Sequence, residues 1–170
     1  MSRVETRYDA IVFDNDGVLT YPTDESALTA ASRQAFAAFD IDPASSDVRS
    51  LVDDLSVETV RTLADQYELD PNEFWRRHET ERTAVQLEAI RSDEKPLYDD
   101  VKAIVDLSVP MAIVSNNQHA TVEHIVSEFG LDATFEAYYG REPTLQGLGR
   151  RKPDPSYLET ALDELGVGSA

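Results

Sequence analysis

Two short apolar runs, each ending in polar residues, constrain the fold of this chain more than any other feature. The first is YDAIVFD (residues 8–14), and the second is PMAIVSNN (residues 110–117). Nearly continuous apolar runs of this length are typical of strands buried inside a parallel sheet. A weaker run, TFEAYYG (residues 134–140), predicts a third strand.

The segment between the second and third runs has the spacing of a helix. Val122, Ile125, Val126 and Phe129 recur at intervals of three and four residues, and Gly130 stands where a helix would end. Strand, helix and strand in this order predict a right-handed βαβ unit, and therefore an α/β fold.

A long helical insertion separates the first strand from the rest of the predicted sheet. From about residue 23 to residue 90 there is no strand pattern, and helical periodicity recurs in DESALTAASRQAFAAFD, SVETVRTLADQYEL and DPNEFWRR. The last of these has a strong helix start, because Asp70 can cap the helix and Pro71 suits its first turn. We therefore predict a core formed by residues 1–20 and 93–170, and a helical cap over residues 21–92.

The chain is strongly acidic. It has 33 Asp and Glu residues against 15 Lys and Arg residues, a formal net charge of −18, and only three lysines, Lys95, Lys102 and Lys152. The acids are scattered through every segment, which favours a surface adapted to high salt and a haloarchaeal source. The alternative is an ordinary acidic cytosolic protein.

Composition also restricts partners and location. We expect no nucleic-acid and no membrane partner, because binding to phosphate backbones and anionic lipids needs clustered cations. The sequence has no cysteine, no apolar run long enough to span a bilayer and no signal-peptide core in MSRVETRYDA. These features fit a cytoplasmic protein.

Two carboxylates one residue apart, Asp14 and Asp16, follow the first apolar run in FDNDGVLT. Open α/β sheets bind ligands at the carboxyl ends of their strands. If the first two strands are neighbours, Asp14 and Ser115 therefore converge on one site. Paired acids suit a divalent cation such as Mg²⁺, or a division of labour between a nucleophile and a proton shuttle. Taken alone, D-x-D-G is also typical of a solvated turn, and it is the preceding strand that favours a site.

The stretch RRKPDPSYL provides a candidate anion site. Lys152 stands just before a predicted helix start at Asp154 and Pro155. An ammonium beside the N–H groups of a helix suits phosphate or a charged intermediate. The alternative is a surface group of three basic residues that offsets the acidic background.

In order and spacing, these motifs resemble those of the haloacid dehalogenase-like (HAD) superfamily. The matching features are a strand followed by DNDGVLT, a strand followed by SNN, the KPDP segment, and a helical cap after the first motif. Within the superfamily, the chain looks most like the phosphatases with an α-helical cap, the group that includes phosphoglycolate phosphatase and β-phosphoglucomutase. The resemblance implies a Rossmann-like parallel core and a Mg²⁺-dependent phosphatase acting on a small-molecule phosphate ester. A sugar phosphomutase is the subsidiary alternative.

The resemblance also implies a role for each motif residue. Asp14 would be the nucleophile that forms an aspartyl-phosphate, and Asp16 would protonate the leaving oxygen and then activate water. Ser115 and the backbone N–H of Asn116 would bind the phosphoryl group, while Lys152 would stabilise its charge. The Asp14 carboxylate and the Asp16 backbone carbonyl would hold Mg²⁺. Because the dehalogenases lack the second acid, Asp16 favours phosphoryl chemistry over carbon–halogen cleavage.

The fourth motif of the family, an acidic cluster after a further strand, has no counterpart before the sequence ends in ALDELGVGSA. In the family that strand lies beside the first one, so YDAIVFD would become an exposed edge that invites self-association. We expect that the sequence is truncated before this motif and that these 170 residues alone are inactive. The alternatives are a strand supplied by a partner, and a catalytically inactive interaction module that uses the open edge.

The remaining candidates are expected to be structural. His78, His119 and His124 lie on predicted helices without ligand spacing to one another, so we expect solvent or packing roles for them. Phe74 and Trp75 are expected to pack the cap. The sequence does not identify the phosphate ester.

Overall fold

A computed structural model describes residues 8–167 of the chain. Within them, a parallel sheet has the strand order β1-β2-β3. The strands are β1 (Ile11–Phe13), β2 (Met111–Gln118) and β3 (Ala137–Arg141). This arrangement confirms the predicted α/β fold with a Rossmann-like parallel sheet.

Helices cover both the insertion and the crossovers of the sheet. They are α1 (Glu25–Ala37), α2 (Ser45–Asp53), α3 (Val57–Gln66), α4 (Pro71–Arg91), α5 (His119–Glu128), α6 (Leu145–Gly149) and α7 (Ser156–Glu164). A short 3₁₀ helix spans Asp99–Ala103. Helices α1, α3 and α4 lie between β1 and β2 in the sequence, as the helical periodicity predicts. Helix α2, in the same insertion, and helix α6 were not predicted. The domain boundaries given above stay a prediction.

Strand β2 is buried on both faces of the sheet. Ile113 packs against Val126 of α5 on one face, and Ala112 packs against Ala161 of α7 on the other. This two-sided burial explains why the β2 sequence is a continuous apolar run instead of an alternating one. Strand β1 is less covered, because its three residues are only partly buried and, among residues 8–167, it pairs with β2 alone.

A second core forms among the inserted helices. Phe36, Leu63, Phe74 and Trp75 are buried together, and Leu148 of α6 completes the cluster from the sheet side. The predicted packing role of Phe74 and Trp75 is therefore confirmed. Since α6 follows β3 in the chain, this cluster also attaches the helical insertion to the sheet region.

Helix ends follow the expected chemistry. The Asp70 side chain accepts hydrogen bonds from the N–H groups of Asn72 and Glu73, which starts α4 as predicted. Gly130, just past α5, has a φ of +64°, a left-handed conformation that residues with a Cβ adopt only with strain. Strand β3 starts later than predicted, because residues 134–136 are not part of the ladder.

Candidate active site

A tight turn follows β1 and carries the two carboxylates. The carbonyl of Asn15 accepts hydrogen bonds from three successive backbone N–H groups at 2.8–3.1 Å. The Gly17 N–H donates to the carbonyl of Thr20 at 2.8 Å, and the φ of +78° at Gly17 favours a residue without a Cβ. Through this turn, Asp14 and Asp16 line the same cavity, which has a volume of about 310 Å³.

Each carboxylate is paired with a lysine from a distant segment. Lys152 Nζ lies 3.0 Å from Asp14 Oδ2, and the Asp14 side chain is 46% exposed. Asp16 accepts a hydrogen bond from Lys95, whose side chain is 0% exposed and also donates to the carbonyl of Tyr21 at 2.8 Å. Two of the three lysines in the chain therefore offset the repulsion between the two acids.

The end of β2 is bound to the Lys152 segment. The Asn116 Oδ1 accepts a hydrogen bond from the Lys152 N–H at 2.7 Å, and its Nδ2 donates to the Lys152 carbonyl at 3.1 Å. Lys152 Nζ also donates to the carbonyl of Val114 at 2.7 Å. Ser115 is almost fully buried and lines the cavity together with Asn116. The structure thus brings Asp14, Asp16, Ser115, Asn116 and Lys152 together. Ser115 does not end its strand, although the apolar run predicts that it does, because β2 continues to Gln118.

A hydrogen-bond network that was not predicted connects Asp16 to the cap. Asn117 Nδ2 donates to Asp16 Oδ2 at 2.9 Å and to Gln86 Oε1 at 2.6 Å. Gln86 Nε2 donates back to Asn117 Oδ1 at 2.9 Å, and Thr23 Oγ1 donates to Gln86 Oε1 at 3.0 Å. The middle of α4 is therefore fixed directly to the end of β2. The sequence gives no clear signal for this contact, because the buried side of α4 also carries His78 and Glu79, so a buried Gln86 does not stand out.

A cluster of charged side chains lies where α4 meets the end of β3. Glu79 and Arg141 form an ion pair of 2.7 Å, and the side chains of both are only 2% exposed. Arg82, one turn further along α4, lines the cavity together with Arg141 and Arg151. The guanidinium carbon of Arg141 also lies 5.1 Å from the centre of the Trp75 ring, within range of a cation–π interaction.

Burial dominates the ionisation of this cluster. It lowers the pKa of Arg82 to about 10, and the charge of Arg141 acts in the same direction. Burial raises the pKa of the Glu79 carboxyl, although the guanidinium groups of Arg141 and Arg82 oppose the rise. Burial also lowers the pKa of His78 well below its ordinary value, so this histidine is neutral near pH 7. It packs against Trp75 and shares a hydrogen bond of 3.1 Å with Ser32, which confirms a packing role.

The donor set fits a magnesium ion that is shared with a substrate. Among residues 8–167, no group of three or more His, Asp and Glu side chains could hold a metal ion by itself. Asp14 and Asp16 nevertheless offer oxygen ligands, and the Asp14 carboxylate is about half exposed. Mg²⁺ is commonly bound by one or two carboxylates together with water and substrate phosphates. These residues therefore suit Mg²⁺ better than a metal that needs a closed protein cage.

The chain belongs to the haloacid dehalogenase-like hydrolases, because the model of that family matches residues 8–170. Among solved structures, a predicted phosphoglycolate phosphatase from Haemophilus somnus is 23% identical with a TM-score of 0.60, over 96% of this chain and 74% of that one. A predicted phosphatase from Clostridium acetobutylicum is 20% identical with a TM-score of 0.58, over 95% and 72% of the two chains.

A third structure, provisionally described as a β-phosphoglucomutase from Thermotoga maritima, is 18% identical with a TM-score of 0.57 over the same shares of the two chains. At these identities the similarity concerns the fold. No curated protein matches the chain. In the part of the chain between residues 8 and 167, no helix combines the length and the apolar character needed to cross a membrane.

Proposed function

We propose that this protein is a Mg²⁺-dependent phosphatase that hydrolyses a small-molecule phosphate monoester through an aspartyl-phosphate on Asp14. The observation that carries the proposal is the Asp14–Lys152 pair, with 3.0 Å between Oδ2 and Nζ, beside a cavity that Asp16 and Ser115 also line. A nucleophilic carboxylate, a second acid and a fixed cation are the parts that phosphoryl transfer through an acyl phosphate needs. Membership of a hydrolase family supports water as the final acceptor.

In the first half of the reaction, a carboxylate oxygen of Asp14 attacks phosphorus, and the bond from phosphorus to the ester oxygen breaks. Protonated Asp16 gives its proton to that oxygen, so the alcohol leaves as a neutral molecule. The ammonium of Lys152 and the hydroxyl of Ser115 stabilise the phosphoryl oxygens. Mg²⁺ held by the Asp14 carboxylate and the Asp16 backbone carbonyl would supply further positive charge at the phosphoryl group.

In the second half, Asp16 takes a proton from water. The water oxygen attacks phosphorus, the bond between phosphorus and the Asp14 oxygen breaks, and inorganic phosphate leaves. Asp16 is positioned for both steps by its bonds to Lys95 and Asn117, which engage one carboxylate oxygen each. Together, the two bonds set the orientation of the Asp16 carboxyl group. For the proton to move, one of its two oxygens has to turn toward the cavity.

The test is the substitution Asp14→Asn in the intact enzyme, assayed with Mg²⁺ and a generic phosphate ester, because these 170 residues alone are expected to be inactive. Release of inorganic phosphate should be abolished, while the circular dichroism spectrum and the melting temperature stay close to those of the parent protein. Asp132→Asn, at an exposed position after α5, is the matched control and should keep full activity. Wild-type turnover by Asp14→Asn would overturn the proposal. A phosphomutase would instead convert its substrate without net release of phosphate.

One observation favours a second candidate function, a catalytically inactive interaction module. Over the described range, residues 8–167, the edge of β1 opposite β2 is unpaired, and Val12 and its neighbours in the strand are partly exposed. An unpaired edge of this kind is a template for another strand, and a second copy of this chain is the expected occupant. Light scattering would detect such self-association, and a module of this kind would show no Mg²⁺-dependent phosphate release.

The proposal also includes location and conditions. A chain without cysteine fits the reducing cytoplasm, where disulfides are rare. A formal net charge of −18 fits a cytoplasm rich in salt, because salt screens the repulsion between surface acids. The same charge disfavours nucleic acid and anionic lipid as partners.

A further inference from the structure

The cavity has a charge balance opposite to that of the whole chain. Acids outnumber bases by more than two to one overall. Around the cavity, however, three arginines line the wall, and Lys95 and Lys152 reach its two carboxylates. With Glu79 included, five basic side chains stand against three acidic ones. Basic side chains therefore outnumber acidic ones around this cavity.

Two of the three arginines, Arg82 and Arg141, come from the middle of α4 and the end of β3. The charge of Glu79 acts on both Arg82 and Arg141, and Glu79 forms its ion pair with Arg141, while the charge of Asp16 also acts on Arg82. Within residues 8–167, Arg82 has no ion pair within 4.0 Å, and its one hydrogen bond is a long contact of 3.5 Å to the carbonyl of Leu51. The neutral state of His78 adds no charge to the group.

Several donors of these two arginines are left unused. The Nε of Arg82 and the Nε and Nη1 of Arg141 are buried and lack a hydrogen-bond partner among the described residues. A buried donor without a partner costs free energy, and charged donors cost more than neutral ones. An anion that accepts hydrogen bonds from these groups would remove that cost. Guanidinium groups are suited to this task because they bind carboxylate and phosphate with two parallel hydrogen bonds.

We propose that Arg82 and Arg141 bind a second anionic group of the substrate, so that the preferred substrates are small phosphate monoesters whose leaving group carries a carboxylate or a further phosphate. This inference rests on the proposed phosphatase function. The cavity reaches from Asp14 and Ser115 to these arginines, so one molecule can occupy both ends. Its volume of about 310 Å³ is that of a small metabolite.

The test uses three monoesters with the same three-carbon chain. They end in a carboxylate (3-phosphooxypropanoate), a hydroxyl (3-hydroxypropyl phosphate) or a second phosphate (1,3-propanediol bisphosphate). With Mg²⁺ present, kcat/KM for at least one charged ester should exceed that for the hydroxyl ester by about tenfold or more, the value of one or two hydrogen bonds to a charged group. The carboxylate and bisphosphate arms show which anion the site takes.

Variants connect this preference to the arginines. Arg82→Gln should lower the charged-to-neutral ratio of kcat/KM about tenfold or more, and Arg82→Lys should retain part of it, which separates charge recognition from a loss of folding. Arg77→Gln is the matched control, because Arg77 lies on the same helix and pairs with Glu81 away from the cavity. It should leave the ratio unchanged. Equal turnover of all three esters by the parent protein, or an unchanged ratio in Arg82→Gln, would overturn the inference.

A failure of the proposed function can be told apart from a failure of the inference. If the intact enzyme hydrolyses none of the esters, the phosphatase proposal is wrong, and calorimetric binding of the same three molecules then decides on the anion site. Tighter binding of a charged ester that is lost in Arg82→Gln would support the site. Equal binding of all three, or no effect of the substitution, would eliminate it.

Discussion

The ion pair between Lys95 and Asp16 allows a quantitative prediction, because its two members differ in burial. The Lys95 side chain is 0% exposed, whereas 34% of the Asp16 side chain is exposed. Removing the carboxylate leaves an ammonium in the interior with only the carbonyl of Tyr21 as a partner. Removing the ammonium leaves a carboxylate that reaches water and keeps its hydrogen bond of 2.9 Å from Asn117. The two substitutions should therefore have unequal costs.

We expect Asp16→Ala to lower the free energy of unfolding by about 3 kcal/mol, the lower end of the range for breaking a buried pair, because Asp16 is partly screened by water. Lys95→Met keeps the apolar stem and removes the buried charge, so we expect a loss of about 1 kcal/mol, the net value of one hydrogen bond. The double variant removes both charges and should cost less than the sum, with a coupling energy on the order of 1–2 kcal/mol.

Urea unfolding measures these differences, and the only tryptophan, Trp75, is fully buried and serves as the fluorescent reporter. Lys102→Met is the matched control, since Lys102 lies at the surface and only approaches Asp99 at 3.9 Å. It should have no measurable effect. If Lys95→Met costs as much as Asp16→Ala, or if the two effects simply add, burial does not govern this pair and the argument is refuted.

Three further predictions concern catalysis, salt and pH. Asp16→Ala should lower phosphate release by about 10²–10⁴-fold, which is the usual contribution of a general acid. The variant should also trap labelled phosphate on Asp14. Unchanged turnover would exclude Asp16 as the acid. The net charge of −18 predicts that the melting temperature rises with KCl into the molar range, beyond about 1 M, where the Debye length is only about 3 Å; a flat or falling curve would discard adaptation to salt. Burial lowers the pKa of His78 in the folded state, so below the unfolded value of about 6.5 the unfolded chain binds more protons. The free energy of unfolding that is present above that pH is lost as the pH falls, by up to about 1.4 kcal/mol per pH unit. Urea unfolding at a series of pH values measures this slope, and His78→Gln should remove it. An unchanged slope would show that other groups cause it.

The parts of the site that the sequence predicts are those fixed by local geometry. Asp14 and Ser115 follow apolar runs, and neighbouring parallel strands bring their carboxyl ends together whatever else the chain does. Lys152 stands before a helix start, and helix α7 does begin at Ser156. The positions of these three residues can be predicted from the apolar pattern of a strand and from the residues that start a helix.

The residues that sequence reasoning missed are placed by contacts between distant segments. Lys95 lies in what reads as a linker and is 79 residues from its partner Asp16, so nothing local indicates that it is buried. Gln86 reaches Asn117 only because α4 packs over the end of β2. Helix α2 was missed for a different reason: its N-cap residue, Ala44, makes no side-chain cap, so the sequence lacks the usual start pattern.

The distribution of cations connects the acidic surface to the site. A charge on the surface is screened over about 3 Å at 1 M salt, whereas buried and partly buried pairs are screened much less. Lys95, Glu79 and Arg141 are buried, so their electrostatic effect on the cavity persists at salt concentrations that cancel the repulsion between the exposed acids. A chain can then carry an excess of acids outside and still attract an anion inside. For this reason we expect the charge of the cavity, and not the net charge of −18, to determine which ligand this protein binds.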